Sequence, residues 1–365
     1  SEAFRRELGY NPDHPPFGRF WLGLHHQVTW WIAPPLQPDG PFVTACARTG
    51  SATAFALTIW MLGAFVTFSA KRSSEKSVLS PEWQGAITGL ALVLMPRLYG
   101  HAHLAALETI TNLTCTAAIL SIASGWNQTT PPSRRAAILA GVFLGVALLT
   151  KIQAILIPVP IVICTLLHWR QRGLFPLLIW FTVATLVFVA GWPYLWHDPV
   201  KHVLEYLGRT TNRVTLNCYY FGTTYQDRLV PWHYPLVMFA ATVPLGLHLL
   251  GLLGLKARHR TDVGSQIEDR WQDRLLLATG LFPLIVFSMP GVAVYDGERL
   301  FLTVFPIWAL FVGRGIVASI EVGARFVGCR LACVAATLLA LIQFGVNFQS
   351  HPVYLSYYNM AVGGT

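Results

Sequence analysis

Charged residues are scarce in this chain. Only 12% of its 365 residues are charged, against about 25% in a typical soluble domain. Hydrophobic residues make up 54%, and the mean hydropathy is +0.49. This composition excludes a water-soluble globular enzyme and a disordered linker, and it predicts an integral membrane protein.

Cysteine motifs are also missing. No CxxC pair occurs, and most of the cysteines lie inside apolar stretches, where cysteine acts as a small hydrophobe. The sequence therefore predicts neither a metal knuckle nor a disulfide framework. The six cysteines are Cys46, Cys115, Cys164, Cys218, Cys329 and Cys333.

Basic residues outnumber acidic ones by 26 to 17, which gives a net charge of +9. A nucleic-acid partner would require these cations along one stripe. Instead they stand in short clusters between apolar runs, as the positive-inside rule of membrane proteins demands. No nucleic-acid partner is predicted.

Apolar runs long enough to cross a membrane fill most of the sequence. A span needs about 20 mainly apolar residues, and ten runs bounded by charge, proline or glycine are predicted. They lie near 42–70, 84–100, 104–124, 136–150, 152–169, 174–195, 233–255, 275–292, 299–319 and 328–346. Lys151 alone separates the fourth run from the fifth, so one long tilted helix remains the alternative there.

Basic clusters on alternate connections orient the spans. The connections after the odd-numbered spans carry them and are predicted to be cytoplasmic. These residues are Lys71, Arg72 and Lys76; Arg134 and Arg135; Arg170 and Arg172; Lys256, Arg258, Arg260, Arg270 and Arg274; and Arg325 and Arg330. The other connections are rich in aromatic residues, His and Pro, and are predicted to be extracytoplasmic.

This topology divides the chain into three parts. Residues 1–41 form an extracytoplasmic loop, in which the apolar but interrupted stretch 17–32 is predicted to be an interfacial helix. Residues 42–347 form one transmembrane helical domain with a long extracytoplasmic loop at 196–232. Residues 348–365 form an extracytoplasmic C-terminal segment.

The loop at 196–232 is notably aromatic. Because sugar faces stack on aromatic rings, one interpretation is a platform for a sugar or an acceptor. The other is a lid anchored in the membrane interface.

His14 precedes two prolines, Pro15 and Pro16, which hold the chain extended before the interfacial helix. Its imidazole could donate a hydrogen bond to a phosphate or hydroxyl oxygen. The alternative is a solvated histidine at a proline-stiffened helix start.

The turn before Glu108 carries Arg97, His101 and His103. On a continuous helix His101 and Glu108 would share a face. A cation, two imidazoles and a carboxylate suit an anionic head group or a divalent metal ion, although the spacing matches no tight metal-ligand pattern. Charge inside a span is costly; the structural alternative is an internal ion pair of Glu108 with Arg97 or Arg48.

Tyr295, Glu298 and Arg299 lie at the predicted extracytoplasmic mouth of the ninth span. The planar fork of Arg299 suits a phosphate; the alternative is a snorkelling anchor. Lys151 and Arg48 are two further cations near the same side. Several converging cations predict a site for a lipid-linked phosphate or pyrophosphate.

Taken in order, these motifs resemble a known family. The His-Pro-Pro-x-Gly-Arg sequence at 14–19, followed by Arg48, resembles the His-Pro-Pro-x-Gly-Lys loop and following arginine of protein O-mannosyltransferases. Four other segments resemble bacterial relatives of that family and of the lipid A aminoarabinose transferases. They are residues 96–108, the Leu-Leu-Thr-Lys stretch ending at residue 151, residues 231–235 and residues 295–306. Over essentially its whole length the chain is similar to GT-C glycosyltransferases of the dolichyl-phosphate-mannose-protein mannosyltransferase type.

The resemblance implies an all-α polytopic GT-C bundle of eleven spans in a bacterial inner membrane, of which one N-terminal span is expected to precede Ser1. It implies inverting transfer of a sugar from a polyprenyl-phosphate donor to a protein, lipid or glycan acceptor outside the cytoplasm, with a divalent metal ion as an optional cofactor. The family's catalytic base is an acidic residue just after the first span. No Asp-Glu pair precedes His14 here, where the only acidic residues are Glu2, Glu7 and Asp13, so the base is expected upstream of Ser1.

Two positions depart from the family pattern. Glu108 stands where relatives have Asp, which keeps the carboxylate but changes its reach, and Arg19 replaces Lys. The residues expected around the donor phosphate are Arg299, Lys151, Arg97 and Arg48. Other residues are expected to take part in catalysis, to contact the acceptor or the sugar, or to order a loop. They are Glu108, His14, His101, His103, Tyr295 and Glu298.

Two other functions remain open. A transporter or lipid flippase would also combine many spans with internal charges. A protein of that kind is expected to have inverted repeats and helices broken near the midplane of the bilayer. Here the polar residues gather near one face of the membrane, and no broken helix is expected. A non-catalytic membrane component of glycan assembly is the third interpretation.

Overall fold

The computed structural model describes residues 14–34, 41–72, 77–126, 130–211, 214–257 and 263–364. These ranges are helical apart from turns and one β-hairpin, β1 (Asn217–Tyr220) and β2 (Thr223–Gln226). The helices are α1 (Pro16–Ile32), α2 (Pro41–Arg72), α3 (Pro81–Val93), α4 (Pro96–His101), α5 (Leu107–Gly125), α6 (Arg134–Leu148), α7 (Pro158–Trp169), α8 (Leu174–Gly191), α9 (Pro199–Thr211), α10 (Tyr234–Thr242), α11 (Leu245–Lys256), α12 (Val263–Phe287), α13 (Val304–Val327) and α14 (Cys329–Gln349). Short 3₁₀ turns cover Ile152–Leu156, Arg170–Gly173, Pro193–Leu195, Arg299–Phe301, Tyr354–Ser356 and Met360–Val362.

The helices follow the apolar runs of the sequence. By length and composition, four helical stretches within the described ranges can cross a membrane: Val43–Arg72, Ile152–Gly191, Val304–Val327 and Cys329–Gln349. A fifth is obtained if α10 and α11 together form one bent span. This number is lower than ten because other runs form short helices, such as α3 and α6, or polar ones, such as α5.

Proline breaks two of the predicted spans, so the expectation of unbroken helices is wrong. Met95 is extended before Pro96, which separates α3 from α4. Pro244 separates α10 from α11, whose axes differ by 105°. Each break leaves backbone carbonyls without helical partners. Asn347 donates to Val93 O over 2.8 Å at the first break, and Asn359 donates to Ala240 O and Val243 O over 2.6 and 2.8 Å at the second.

Lys151 also lies at a true break. Helix α6 ends at Leu148, Lys151 is extended with φ −161° and ψ 151°, and a 3₁₀ turn leads to α7. The single tilted helix that the sequence allowed is therefore not formed. The break directs the Lys151 side chain into the protein, where it is 9% exposed.

Glycine allows close packing of the helices that surround the site. A Cβ added to Gly254 of α11 would collide with the backbone of Phe311 in α13, and one added to Gly315 of α13 would collide with Leu250 in α11. Small residues of this kind let membrane helices approach closely, where dispersion rather than the hydrophobic effect stabilises the contact.

Candidate functional site

Two polar clusters lie near the N-terminal ends of α4, α5 and α13. The Glu108 cluster comprises Glu108, Lys151, Asp296 and Arg299. The Glu298 cluster comprises Arg97, His101 and Glu298. Consecutive residues 298 and 299 thus belong to different clusters.

Glu108 lies in the first turn of α5, where the helix dipole favours an anion. Its Oε1 atom accepts a hydrogen bond from Lys151 Nζ over 2.8 Å and another from Arg299 Nε over 2.5 Å. These partners replace the pairings with Arg97 or Arg48 that the sequence suggested. Glu108 holds both cations in place because its carboxylate is 3% exposed and pairs with each of them.

Arg299 is the accessible member of its cluster. Its side chain is 41% exposed, and its Nη1 atom donates to Asp296 Oδ2 over 3.0 Å. Lys151, in contrast, is 9% exposed. An anion arriving from outside would therefore meet the guanidinium of Arg299 first, while Lys151 lies behind it.

The Glu298 cluster is sealed. Arg97 Nη1 donates to Glu298 Oε2 over 2.6 Å, and both side chains are at most 6% exposed. His101 Nε2 lies 3.5 Å from Glu298 Oε1. Burial opposes ionisation of Glu298, but the hydrogen bond from His101 and the charge of Arg97 outweigh it and lower the pKa of this carboxyl.

The C-terminal segment closes the Glu298 cluster. Arg97 Nε donates to Tyr357 O over 2.8 Å, and its guanidinium lies 4.4 Å from the centre of the Tyr358 ring. The protein itself thus holds Nε, Nη1 and one face of the Arg97 guanidinium. The contacts favour a structural role for Arg97, since little of its guanidinium is left for a phosphate.

A tight turn separates the two clusters. Asp296 and Gly297 have φ angles of 54° and 68°, in the left-handed region, and Gly297 N–H donates to Tyr234 Oη over 3.1 Å. A Cβ on Gly297 would lie 3.0 Å from Arg97 Nη1. This turn directs Glu298 inwards and leaves Arg299 at the surface.

The structure separates His101 from the helical face on which it was expected. Helix α4 ends at His101 and α5 begins at Leu107, so the two residues are not at helical spacing with Glu108. The expected common face of His101 and Glu108 is therefore wrong. His101 instead packs against Glu298.

The remaining sequence candidates are not members of the two clusters. His103 is exposed and stacks on Tyr354 with ring centres 5.2 Å apart. His14 is exposed, and its carbonyl accepts a hydrogen bond from Arg19 over 3.1 Å. Arg48 is exposed on α2, and Tyr295 is half-buried in the turn before Arg299. Glu2 and Glu7 lie outside the described residues.

No metal site is evident in the part of the chain that the structure describes. Within it, no three His, Cys, Asp or Glu side chains are grouped so that they could hold an ion. Glu108 and Asp296 both face Arg299 rather than a shared space between carboxylates. This donor set does not fit a divalent cation.

Sequence reasoning missed several residues that shape the site. Asp296 stands three residues before Arg299, and this i, i+3 spacing of opposite charges could have identified it. Tyr234 and Tyr357 contact the site from far along the chain. Nothing local in the sequence marks them.

Comparison with known proteins identifies the fold. No family model and no curated protein matches the chain. Two solved structures of ArnT from Cupriavidus metallidurans are similar to it. The apo form has a TM-score of 0.56 at 17% identity, and the form bound to undecaprenyl phosphate has 0.55 at 15% identity.

The similarity covers 83% and 89% of this chain but only 49% and 54% of the two ArnT chains. The chain thus spans about half the length of these proteins. At such low identity the likeness establishes the fold alone. The chain shares the fold of the part of ArnT that it covers, and the sequence prediction of an all-α polytopic membrane bundle is confirmed.

Proposed function

We propose that this protein is a membrane glycosyltransferase that moves a sugar from a polyprenyl-phosphate donor to an acceptor outside the cytoplasm. Arg299 is the observation that carries the proposal. Its guanidinium is oriented by two carboxylates, yet 41% of the side chain is exposed at the end of the helical bundle. The fold of a protein whose structure is known with undecaprenyl phosphate supports this choice of donor class.

The phosphate of the donor binds the open edge of Arg299. Two carboxylates fix the guanidinium before the donor arrives, so little conformational freedom is lost on binding. The buried Lys151 adds positive charge behind Arg299, and Glu108 positions both cations. The mannosyl group that the sequence resemblance implies is our candidate for the transferred sugar.

In the reaction, the acceptor hydroxyl oxygen bonds to the anomeric carbon as the bond from that carbon to the phosphate oxygen breaks. The electron pair of this bond leaves with the polyprenyl phosphate, and the hydroxyl proton passes to a base. Arg299 stabilises the negative charge that grows on the leaving phosphate. Both candidate carboxylates of the Glu108 cluster pair with cations, so we assign them to positioning and assign the base to an acidic residue that precedes the described residues.

A transfer assay with the full-length protein in lipid nanodiscs tests the proposal. Radiolabelled polyprenyl-phosphate sugars are supplied as donors, and Arg299→Ala is compared with Arg325→Ala. Arg325 is an exposed arginine in the last turn of the same helix that follows Arg299, which makes it a matched control. We expect Arg299→Ala to reduce transfer by roughly 10²- to 10³-fold and Arg325→Ala to leave it unchanged.

Equal transfer by both variants would contradict the assignment of Arg299.

A lipid flippase is the second candidate, because proline-broken helices such as α10 and α11 are frequent in transporters. That function would be supported if the protein moved polyprenyl phosphates across the bilayer but transferred no sugar from any donor offered.

A further inference from the structure

The β-hairpin has two unlike faces. Its strands pair in antiparallel register, with Cys218 opposite Tyr225 and Tyr219 opposite Thr224. Cys218 and Tyr220 are buried, whereas the alternating residue Tyr219 is 74% exposed. The hairpin thus packs one face on the protein and presents aromatic side chains on the other.

Phe221 occupies the tip in an unusual conformation. With Gly222 it forms a two-residue turn in which both φ angles are positive, 46° and 79°. Asn or Asp normally takes the first of these positions, because a bulky side chain is disfavoured there. Phe221 nevertheless occupies it and remains 71% exposed.

Charge is absent from the hairpin and from the three residues before it. The thirteen residues 214–226 include no Lys, Arg, Asp or Glu, and they consist mainly of Thr, Tyr and other uncharged residues. Exposed hairpins in water are usually protected by charged side chains. Uncharged aromatic and hydroxyl residues are instead typical of the zone between lipid head groups and acyl chains.

A hydrogen bond holds this hairpin beside the start of a membrane helix. Tyr220 Oη and His233 Nδ1 lie 2.7 Å apart, and α10 begins at the next residue, Tyr234. Two more large apolar side chains are exposed in the same connection, Leu229 at 67% and Trp232 at 63%. The exposed residues therefore adjoin the N-terminal end of the predicted span near 233–255.

We propose that Tyr219, Phe221, Leu229 and Trp232 form a lipid-binding patch that inserts into the membrane interface on the side of the Glu108 cluster. The partner is the bilayer surface itself, in the region where acyl chains meet the head groups. Burial there removes four large apolar groups from water. The proposal uses the membrane fold of the protein and does not depend on the glycosyltransferase function.

A saccharide site, the other interpretation of this loop, combines an aromatic ring with converging hydrogen-bonding groups. At the hairpin tip the exposed Phe221 is followed by Gly222, which has no side chain to contribute such a group. The tip is therefore a poor platform for a sugar.

The anchored hairpin also positions Arg299. Val294 N–H donates to Asp227 O over 2.9 Å, and Asp227 Oδ2 accepts the N–H of Leu216 over 3.0 Å. These bonds tie the base of the hairpin to the chain two residues before Asp296. Insertion of the patch therefore holds the Arg299 turn at a fixed depth relative to the lipid surface.

Fluorine NMR on the full-length protein in nanodiscs tests this inference. Trifluoromethyl-phenylalanine is introduced at Phe221, and in a second sample at Tyr219 in case the first label disturbs the turn. Lys201, an exposed charged residue of α9 in the same connection, provides the control position. Relaxation is measured with phosphatidylcholine carrying a nitroxide near its head group, and separately with a water-soluble gadolinium chelate.

We expect the nitroxide lipid to broaden the signals at positions 221 and 219 more strongly than the signal at 201, and the gadolinium chelate to show the opposite order. Broadening by lipid at 221 and 219 that does not exceed that at 201 would overturn the proposal. That result would favour a water-facing platform for the acceptor. Since no sugar transfer is measured, the outcome is independent of the test of Arg299.

Discussion

Glu298 and Arg299 are neighbours in sequence but belong to opposite kinds of environment. Glu298 is 2% exposed and lies between Arg97 and His101. Arg299 is 41% exposed and completes the Glu108 cluster at the protein surface. Both residues make short ion pairs, so the pairing itself does not distinguish them.

Exposure decides what each ion pair does. A buried pair is costly to break, because the remaining partner keeps its charge without water or a counter-ion. A partly exposed pair contributes little to stability and can exchange its partner for a ligand. We therefore assign the Glu298 cluster to the stability of the fold and the Arg299 edge to binding.

The largest effect on stability is expected for Glu298→Ala. This change leaves the Arg97 guanidinium buried without its carboxylate, and we expect a loss of about 3–5 kcal/mol in the free energy of unfolding. Thermal and denaturant unfolding of the detergent-solubilised protein measure it. A change as small as that of an exposed pair would remove the distinction between the clusters.

A smaller loss is expected for Asn359→Ala. The substitution leaves the carbonyls of Ala240 and Val243 unpaired at the bend between α10 and α11, which costs about 1–3 kcal/mol. Unfolding of the variant is compared with that of Ser356→Ala, an exposed position of the same segment. Equal stability of the two variants would show that the asparagine does not support the bend.

Acid should act on the Glu298 cluster as well. The pKa of Glu298 is lower in the folded protein than in the unfolded chain, so its stabilising contribution is complete above the unfolded value of about 4.3 and is lost as the pH falls through the folded value. As the pH decreases from neutral, the free energy of unfolding of the wild-type protein should therefore fall more than that of Glu298→Ala. If the free energy of unfolding had the same pH dependence in both proteins, Glu298 would not be the source of the acid sensitivity.

The smallest effect on stability is expected for Arg299→Ala. Glu108 keeps Lys151 as its partner, and a partly exposed pair contributes about 0–1 kcal/mol. The same unfolding experiments measure the change. A loss comparable to that of Glu298→Ala would make Arg299 a structural residue and weaken its assignment to binding.

The sequence predicted the fold class because hydropathy and alternating basic clusters reflect the membrane directly. It also identified Glu108, Lys151 and Arg299 as unusual charges near one end of the bundle. It did not predict which charges pair, because Glu108 meets Arg299 across 191 positions of the chain. For the same reason Arg97 was expected to bind the donor phosphate, whereas its contacts with Glu298 and Tyr357 hold it inside the protein.

Helix breaks were harder to predict than helices. Pro96 and Pro244 stand within apolar runs, and hydropathy alone predicts that each run continues. The breaks are stable because Asn347 and Asn359 donate to the carbonyls that proline leaves free. These asparagines lie far along the chain, and their partners emerge only when the helices pack together.

Binding of the lipid carrier tests the central claim most directly. Undecaprenyl phosphate and undecaprenol differ only in the phosphate, and the affinity of each for the full-length protein in nanodiscs can be measured with and without Arg299→Ala. We predict that the wild-type protein prefers the phosphate and that the variant loses most of this preference while binding undecaprenol unchanged. An equal preference for the phosphate in both proteins would contradict the assignment of Arg299 as the donor-binding residue.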